Sequence, residues 1–447
     1  MIENHYAQTV SLSQSIESLT GARRTSFFSR SAPEDTSVES ATTAIVSDVR
    51  TRGDAALRDM ALSFDGVQIE SLEVPRSVCR SAVDSLDRQL RRALERAISN
   101  IEVVQRSSLP IATETSPEPG IMVGRRPDPL DRVGVYAPGG RATYPSSVLM
   151  GAVPARVAGV REIILCSPPG PGGLPSRVVL AAAELAGVDR VFAIGGAGAI
   201  AAMAYGTESV PRVDRIVGPG NAYVAEAKLQ VARVVAIDSP AGPSELLVIA
   251  DASTDPDVVV REVMAQAEHD PRAVVVVLTI GQVAAATILS RLTDALPSQQ
   301  RRDIIQESLR TRGAVLWATD MDQAIAFNND FAPEHLLLAM PHAIDLLPRF
   351  RNAGTIFVGE HSSVAFGDYM TGANHVLPTG GLARSYSGLS VLDFMRWTTY
   401  QVITEPAAAR LADDVGAFAD SEGLPAHAAA ARQWAAPGVG LSGAGLS

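Results

Sequence analysis

The sequence predicts an α/β protein with two similar parallel-sheet domains and helical segments at both ends. Its 447 residues are about three times the ~150 residues of an average domain, so two or three domains are expected. Short apolar runs alternate with amphipathic stretches from about residue 126 to residue 358, which is the pattern of βαβ units. Hydrophobic residues make up 46% of the chain and aromatic residues only 5%, a balance that suits this class better than an all-β fold.

The order of these patterns divides the chain into four segments. Residues 1–125 are predicted to be helical and to pack on the α/β core. Residues 126–240 and 241–366 are predicted to form two Rossmann-like domains, each an incomplete doubly wound sheet. Residues 367–447 begin with a Gly-rich loop, continue with a helix near residues 392–400, and end in a further helical region.

Charge and cysteine content exclude several classes of partner. The net charge is −11 and the basic residues are scattered, so we expect neither a nucleic acid nor an anionic membrane surface as a partner. The apolar runs are too short to span a bilayer, and the N-terminus does not have the pattern of a signal peptide. Only two cysteines occur, which suggests no disulfide framework and favours the cytoplasm.

The first candidate site residues are Gln266 and His269, near the end of a predicted helix. Because they are three positions apart, they share one helix face and could approach one ion or ligand. Histidine is a common zinc ligand, and glutamine is an uncommon oxygen donor. A helix-end histidine that interacts with its own carbonyl groups is the simpler explanation of this pair taken alone.

A second pair, Glu334 and His335, opens a predicted apolar strand. These residue types are the usual general acid and base, but neighbours in a strand point to opposite faces unless the strand is bent. Asp368 and His375 follow in a Gly-rich loop, the kind of segment where site residues concentrate. A surface Asx-turn explains Asp368 equally well.

The remaining candidates are weaker. Glu422 and His427 read as part of a helix-capping segment with a solvent-facing histidine. Residues 196–201 match the dinucleotide-binding pattern G-x-G-x-x-A, although a chain rich in Ala and Gly produces this match by chance. Residues 218–221 and 240–245 form Gly/Pro loops, the second of which places Ser244 near a strand end that a substrate can reach.

Taken in order, these motifs resemble the histidinol dehydrogenase family. The similar segments cover the chain from about residue 30 to residue 430, and they are residues 132–140, 144–150, 218–221, 240–245, 266–269, 331–335, 367–369, 374–379 and 422–427. The resemblance implies an NAD-dependent, four-electron oxidation of L-histidinol through an aldehyde to L-histidine, with one zinc ion per site. It also implies a domain-swapped homodimer with shared active sites.

The resemblance assigns roles by motif position. The implied zinc ligands are Gln266, His269, Asp368 and, from the other subunit, His427. His335 would act as general base and substrate contact, and Glu334 would activate water. The other substrate-binding residues would be Ser244, His375 and Glu422, together with the zinc ligands. The positions implied for the cofactor are Tyr136, Gly198 and Asn221.

The chain departs from the family pattern at a few places. Gly198 stands where family members usually carry glutamine, residues 228–237 are several residues short, and residues 361–364 lack the usual Pro-Glu. A paralogue that oxidises another polar alcohol, such as an amino alcohol or a sulfonated diol, is therefore the alternative. A catalytically silent dimeric binding protein is a third reading, which the intact Glu334, His335 and ligand positions disfavour.

Overall fold

The computed structural model describes residues 9–30, 36–139, 143–240 and 242–435, which fall into two compact units. The first unit contains the described residues of Met1–Ser108 and Leu130–Phe394, and the second those of Leu109–Pro129 and Met395–Ser447. The strands are β1 (Leu12–Ser15), β2 (Glu73–Val74), β3 (Thr113–Thr115), β4 (Ile121–Pro129), β5 (Arg132–Tyr136), β6 (Glu162–Ser167), β7 (Arg190–Ala193), β8 (Arg215–Val217), β9 (Ala236–Ile237), β10 (Glu245–Ala250), β11 (Val274–Ile280), β12 (Gly313–Ala318), β13 (His335–Leu338), β14 (Thr355–Val358) and β15 (Met395–Ile403). The helices are α1 (Gly21–Phe28), α2 (Thr36–Arg52), α3 (Asp54–Asp65), α4 (Arg76–Asp84), α5 (Arg88–Ser107), α6 (Pro145–Ala158), α7 (Arg177–Ala186), α8 (Gly196–Tyr205), α9 (Ala222–Val231), α10 (Pro256–Ala267), α11 (Gln282–Ala295), α12 (Arg302–Arg312), α13 (Met321–Phe331), α14 (Val364–Tyr369), α15 (Glu405–Ser421) and α16 (Pro425–Arg432).

Two six-stranded sheets form the first unit, and five strands of each share one topology. The first has the order β2-β7-β6-β5-β8-β9 and the second the order β1-β12-β11-β10-β13-β14. In the first sheet, β6 and β7 extend from β5 towards one edge, and β8 and β9 then extend from β5 towards the other edge. In the second sheet, β11 and β12 extend from β10 towards one edge, and β13 and β14 extend from β10 towards the other. All the pairings are parallel except that of β2 with β7. The predicted α/β class with parallel sheets is therefore confirmed.

The second sheet lies between two helical layers. Alternate residues of β10 belong to two separate apolar clusters: Leu246 and Val248 pack with α10 and α11, and Leu247 and Ile249 pack with α13. Every residue of β10 is buried, because helices cover both of its faces. This double covering explains why the strand reads as a continuous apolar run rather than an alternating one.

The helices that flank the first sheet begin and end where local chemistry favours it. The side chain of Asp87 accepts hydrogen bonds from the backbone N–H groups of Gln89 and Leu90 and so caps α5. The buried residues of α5 include Leu94, Ala97, Ile98 and Ile101, the spacing of a single helix face. Helix α6 contains an internal proline, Pro154, so the carbonyl of Met150 has no helical N–H to accept.

The second unit consists of an antiparallel sheet and two helices. Its sheet has the order β15-β4-β3, with Met395 opposite Pro129 and Ile403 opposite Ile121. Helices α15 and α16 follow β15 in the chain. Apolar side chains on α15 stay exposed in this chain, among them Phe418 with 70% of its surface accessible.

The structure corrects several sequence predictions. The helix expected near residues 392–400 is strand β15, whose β-branched and aromatic residues pair with β4 along nine positions. The N-terminal segment is not only helical, because residues 12–15 add strand β1 beside β12. Helix α12 was not expected, since its strongly polar sequence buries only Ile305, Ser308 and Leu309. No helix among the described residues is both long and apolar enough to span a membrane.

Candidate active site

A cluster of polar side chains lies at the amino edge of the second sheet. Glu245 is the first residue of β10 and His335 the first of β13, and these two strands are neighbours. Helix α10 runs back along the sheet, so its last turn brings Gln266 to the same edge. Ligands of doubly wound sheets usually bind at the carboxyl edge, so this placement departs from the general rule.

His335 is buried and its tautomer is set by the backbone. Its Nδ1 lies 3.0 Å from the carbonyl oxygen of Glu245, and a carbonyl can only accept, so Nδ1 carries the proton of the neutral ring. The lone pair is then on Nε2, which is buried and has no hydrogen-bond partner among the described residues. Nε2 faces Oδ1 of Asp368 at 3.7 Å, beyond hydrogen-bond range. In the neutral ring, this buried and unpartnered Nε2 is the atom that can accept a substrate proton.

Glu334 is buried beside His335. Its Oε2 accepts a hydrogen bond of 2.6 Å from the backbone N–H of Glu245 and lies 3.4 Å from Nδ1 of His335. Burial raises the pKa of Glu334. Desolvation alone would lower the pKa of His335, but the nearby carboxylates of Glu334 and Asp368 outweigh it and raise the pKa to about 10. Both groups therefore hold protons more strongly than they would in water.

Asp368, His375 and His269 form the second half of the cluster. Burial alone would raise the pKa of Asp368, but the neighbouring His335 outweighs it and holds that pKa below its usual value. Nδ1 of His375 lies 3.0 Å from the backbone oxygen of Asp368, so its Nε2 is left free. Desolvation lowers the pKa values of His269, which is solvent-exposed in this chain, and of His375. Both rings are thus neutral at pH 7, the form that binds metals.

The donor set at this edge fits a zinc ion in its chemistry. Gln266 is buried, and Nε2 of its amide has no hydrogen-bond partner among the described residues. Together with the ring of His269 and the carboxylate of Asp368, it offers the amide, imidazole and carboxylate donors found in zinc and related sites. Within the described part of the chain, however, no three His, Cys, Asp or Glu side chains stand close enough to hold a metal by themselves.

The other predicted substrate residues lie in different places. Ser244 is half-buried and directly precedes β10, next to the cluster in the chain. Glu422 ends α15 and His427 lies in α16, so both belong to the second unit, where both are exposed. Asp368 is in the last turn of α14 and not in a loop, as the Gly-rich sequence had suggested.

The residues expected to contact a cofactor lie at the carboxyl edge of the first sheet. Tyr136 ends β5, and Asn221 follows the neighbouring strand β8 and caps α9 by accepting a hydrogen bond from Val224 N–H. The chain reverses its direction across the sheet between these two strands, which is where dinucleotides bind in this architecture. The N-termini of α8 and α9 meet the same edge and favour phosphate groups.

Tyr136 also has a structural role. Only 3% of its surface is exposed, and its hydroxyl accepts a hydrogen bond of 3.0 Å from the backbone N–H of Gly196. Burial raises the pKa of its phenol to about 12, so the hydroxyl keeps its proton. Tyr136 therefore fixes the loop that begins α8.

A buried ion pair fixes the loop that follows β8. Nζ of Lys228 lies 2.5 Å from both the backbone oxygen of Gly218 and a carboxylate oxygen of Asp238, whose other oxygen accepts the N–H of Gly218. Gly218 has φ +118°, and a Cβ there would overlap the carbonyl oxygen of Tyr136. Only glycine permits this close approach.

Gly198 packs against a neighbouring helix. A Cβ at this position would lie 3.1 Å from Sδ of Met60 and 3.3 Å from Cδ2 of Leu57, both in α3. The missing side chain thus allows α3 to approach α8 closely. This packing accounts in physical terms for a glycine where a larger residue was expected.

Sequence reasoning missed several residues that support the cluster. Arg30 and Glu245 form a buried ion pair behind Glu334. Glu262 accepts a hydrogen bond from Val364 N–H, at the start of the helix that carries Asp368. For Glu262 a sequence signal did exist: it lies one helical turn before Gln266, and a charged residue on the buried face of a helix usually has a specific partner.

The loop that carries His375 is tied to the first sheet's helix α6. The side-chain N–H of Asn374 donates to the carbonyl of Met150 at 2.8 Å, the acceptor that Pro154 leaves without a helical partner. The other side-chain atom of Asn374 accepts the N–H of Val376. Asn374 therefore fixes the loop on both sides of His375.

Comparison with known proteins identifies a family that matches most of the chain. A model of the family "Histidinol dehydrogenase" matches residues 28–434. The chain is 46% identical over 386 residues to histidinol dehydrogenase of Methanosarcina mazei, covering 86% of this chain and 89% of that protein. It is 46% identical over 407 residues to the enzyme of the same name from Ralstonia nicotianae, covering 90% of this chain and 92% of that protein.

A solved structure agrees with these matches. The crystal structure of histidinol dehydrogenase from Elizabethkingia anophelis superposes with a TM-score of 0.90 at 31% identity, covering 95% of this chain and 97% of that one. Family pattern, sequence identity and fold thus agree over most of the length of the chain. The chain belongs to the histidinol dehydrogenase family.

Proposed function

We propose that the chain catalyses the NAD-linked, four-electron oxidation of L-histidinol through histidinal to L-histidine, the last step of histidine biosynthesis. It is an oxidoreductase by family. The observation that carries the proposal is the group formed by buried Glu334, buried His335 and half-buried Asp368, with Nε2 of His335 unpartnered among the described residues. Oxidation of another polar alcohol, or a silent binding role, is not favoured, because the similar proteins are named histidinol dehydrogenase at about 45% identity.

His335 is the proposed general base. With the proton of Nδ1 held by the carbonyl of Glu245, Nε2 can accept the proton of the substrate's hydroxyl. A cation held by Asp368 would offset part of the negative charge that raises the pKa of His335, and would so favour the neutral, basic form of its ring. NAD, when bound at the carboxyl edge of the first sheet beside Tyr136 and Asn221, would supply the hydride acceptor.

Glu334 is the proposed activator of water in the second half of the reaction. Its raised pKa makes the carboxylate a stronger base than one in water. It can take a proton from the water that hydrates the aldehyde, and the resulting diol is again an alcohol that loses hydride. His335 stands next to it and can accept the proton released in this second oxidation.

We propose that Gln266, His269, Asp368 and His427 of the partner subunit hold a zinc ion. The buried amide of Gln266, whose oxygen can bind zinc, and the neutral ring of His269 support the assignment. Zinc would supply a Lewis acid that orients the imidazole and amino nitrogens of the substrate. Ser244, His375 and Glu422 would bind the substrate's remaining polar groups.

A homodimer with shared sites follows from the proposed role of His427. The exposed apolar side chains of the second unit support an interface between subunits. Both cysteines are buried and unpaired, which supports a reducing compartment, and we propose the cytoplasm.

The reaction is tested by its stoichiometry. Zinc-loaded protein is given a limiting amount of L-histidinol with excess NAD at mildly alkaline pH, and NADH is followed by absorbance. We expect two NADH for each histidinol consumed and L-histidine as the product. Turnover of other alcohols without turnover of histidinol would refute the proposed substrate.

The shared site is tested by mixing variants. His427→Ala should lower zinc content, whereas the exposed His361→Ala should not. His427→Ala mixed with His335→Ala should regain about a quarter of wild-type activity, because random exchange makes half of the dimers hybrids and each hybrid has one complete site of two. No recovery despite proven subunit exchange would exclude the shared site.

A further inference from the structure

A buried arginine from the N-terminal segment lies behind the catalytic cluster. Arg30 is 4% exposed, and its Nε and Nη2 donate to the two carboxylate oxygens of Glu245 at 2.9 and 3.3 Å. Nη2 also donates to the carbonyl oxygen of Phe331 at 2.6 Å, and the guanidinium lies 3.5 Å from the centre of the Phe331 ring. Arg30 therefore satisfies the charge of Glu245 and a carbonyl at the end of α13 together.

Glu245 passes this restraint to both proposed catalytic residues. Its backbone N–H donates to Oε2 of Glu334 and its backbone carbonyl accepts from Nδ1 of His335. Its carboxylate accepts the backbone N–H of Glu334 at 3.3 Å and that of Gly380 at 2.8 Å. One residue thus sets the position of the Glu334 carboxylate and the tautomer of the His335 ring.

The backbone that leads into the catalytic pair needs this support. Ala332 has φ +50°, a left-handed conformation that an L-residue other than glycine rarely adopts. Its carbonyl oxygen lies 3.4 Å from Nη2 of Arg30, within the same set of contacts. The strained turn and the ion pair are therefore parts of one arrangement just before Glu334.

We propose that Arg30 and Glu245 are a positioning pair that places Glu334 and His335 for both oxidation steps. The inference rests on the proposed roles of these two residues. A buried ion pair used only for stability can be replaced by neutral groups of similar shape with little loss, so fold alone does not demand it. Misplacement of a catalytic group by about 1 Å can lower the rate on the order of 100-fold, so precise placement of Glu334 and His335 is a reason to keep the ion pair.

The test replaces both charges at once, because removing one would leave the other buried and unpaired. Arg30→Met combined with Glu245→Gln should fold, retain zinc, and keep the KM values for L-histidinol and NAD within about threefold, while kcat falls at least tenfold. Arg30→Lys, which keeps the positive charge but cannot bond both carboxylate oxygens as the guanidinium does, should give an intermediate kcat. The control is the same double exchange in the Arg190–Glu73 pair, which bonds at 2.8 and 2.7 Å at the far edge of the first sheet and should leave kcat unchanged.

The outcomes separate this inference from the proposed function. If the wild type does not yield two NADH per histidinol, or if Glu334→Gln and His335→Asn stay fully active, the proposed function fails. If the wild type is active and the folded double variant keeps kcat within twofold, the positioning pair is refuted. A variant that loses zinc, has raised KM values and has a lowered kcat would also refute it, because that combination indicates a structural role. If the double variant does not fold, Arg30→Lys decides: a lowered kcat with nearly unchanged KM values supports the positioning pair, and an unchanged kcat refutes it.

Discussion

Gly218→Ala is the substitution whose cost can be worked out most directly. Alanine at φ +118° pays the penalty of a left-handed backbone, roughly 1–3 kcal/mol. Its Cβ would also overlap the carbonyl oxygen of Tyr136, a backbone atom that no rotamer change can move. Relief of such an overlap typically costs a further ~1–3 kcal/mol.

Gly281→Ala is the matched control. Gly281 has φ +91°, yet a Cβ there meets no atom within 4 Å. Alanine at position 281 therefore has the backbone cost of a left-handed conformation without the overlap. The difference between the two variants, about 1–3 kcal/mol, therefore measures the approach of the Gly218 loop to Tyr136.

The assay combines stability with cofactor binding. Urea unfolding, followed by circular dichroism, should give a lower midpoint for Gly218→Ala than for Gly281→Ala. The KM for NAD should rise in Gly218→Ala alone, because the displaced loop carries Asn221, while the zinc content of both stays normal. Equal midpoints in the two variants, together with an unchanged KM for NAD, would show that the overlap has no consequence.

Three other outcomes are expected. Glu334→Gln should slow oxidation of histidinal about 10²–10⁴-fold and leave the first NADH of the histidinol reaction largely intact; an equal loss in both steps would contradict its role with water. Burial alone would raise the pKa of Asp54, but hydrogen bonds from Ser209 and Thr207 outweigh it and hold that pKa below its usual value. The ionised Asp54 carboxylate therefore stabilises the fold fully above the pKa that Asp54 has in the unfolded chain, and this stabilisation is lost as the pH falls through the lower pKa of the folded state. The difference in urea midpoint between wild type and Asp54→Asn should therefore shrink below about pH 4. A difference that stays constant with pH would contradict this. Burial raises the pKa of the thiols of Cys79 and Cys166, so a thiol reagent should modify neither in the native protein and both after unfolding; rapid native modification would contradict it.

Local patterns were sufficient for much of the fold and for part of the site. The alternation of apolar runs and amphipathic stretches predicted the parallel strands β10 to β14, because that periodicity is set by burial on both faces. The spacing of Gln266 and His269 predicted a shared helix face, but α10 ends at Ala267, so Gln266 lies in its last turn and His269 follows the helix. His335 does open a strand, and Glu334 directly precedes it.

Other features depend on partners distant in the chain. No local signal marks Arg30 as the counter-ion of Glu245, because their meeting depends on how the N-terminal segment crosses the second sheet. Gly198 could be interpreted only once Leu57 and Met60 were placed against it. Strand β15 was mistaken for a helix, since its pairing with β4 and not its own sequence determines its conformation.

The proline in α6 makes the two α/β halves interdependent during folding. A buried carbonyl without a donor costs about 1–3 kcal/mol, and Pro154 guarantees that Met150 has none from its own helix. The amide of Asn374, which arrives from beyond the second sheet, is what removes that cost. The helix of the first half thus reaches its full stability only after the second half has formed and its histidine-bearing loop has docked. We therefore expect the two halves to unfold as one cooperative unit rather than as two independent domains.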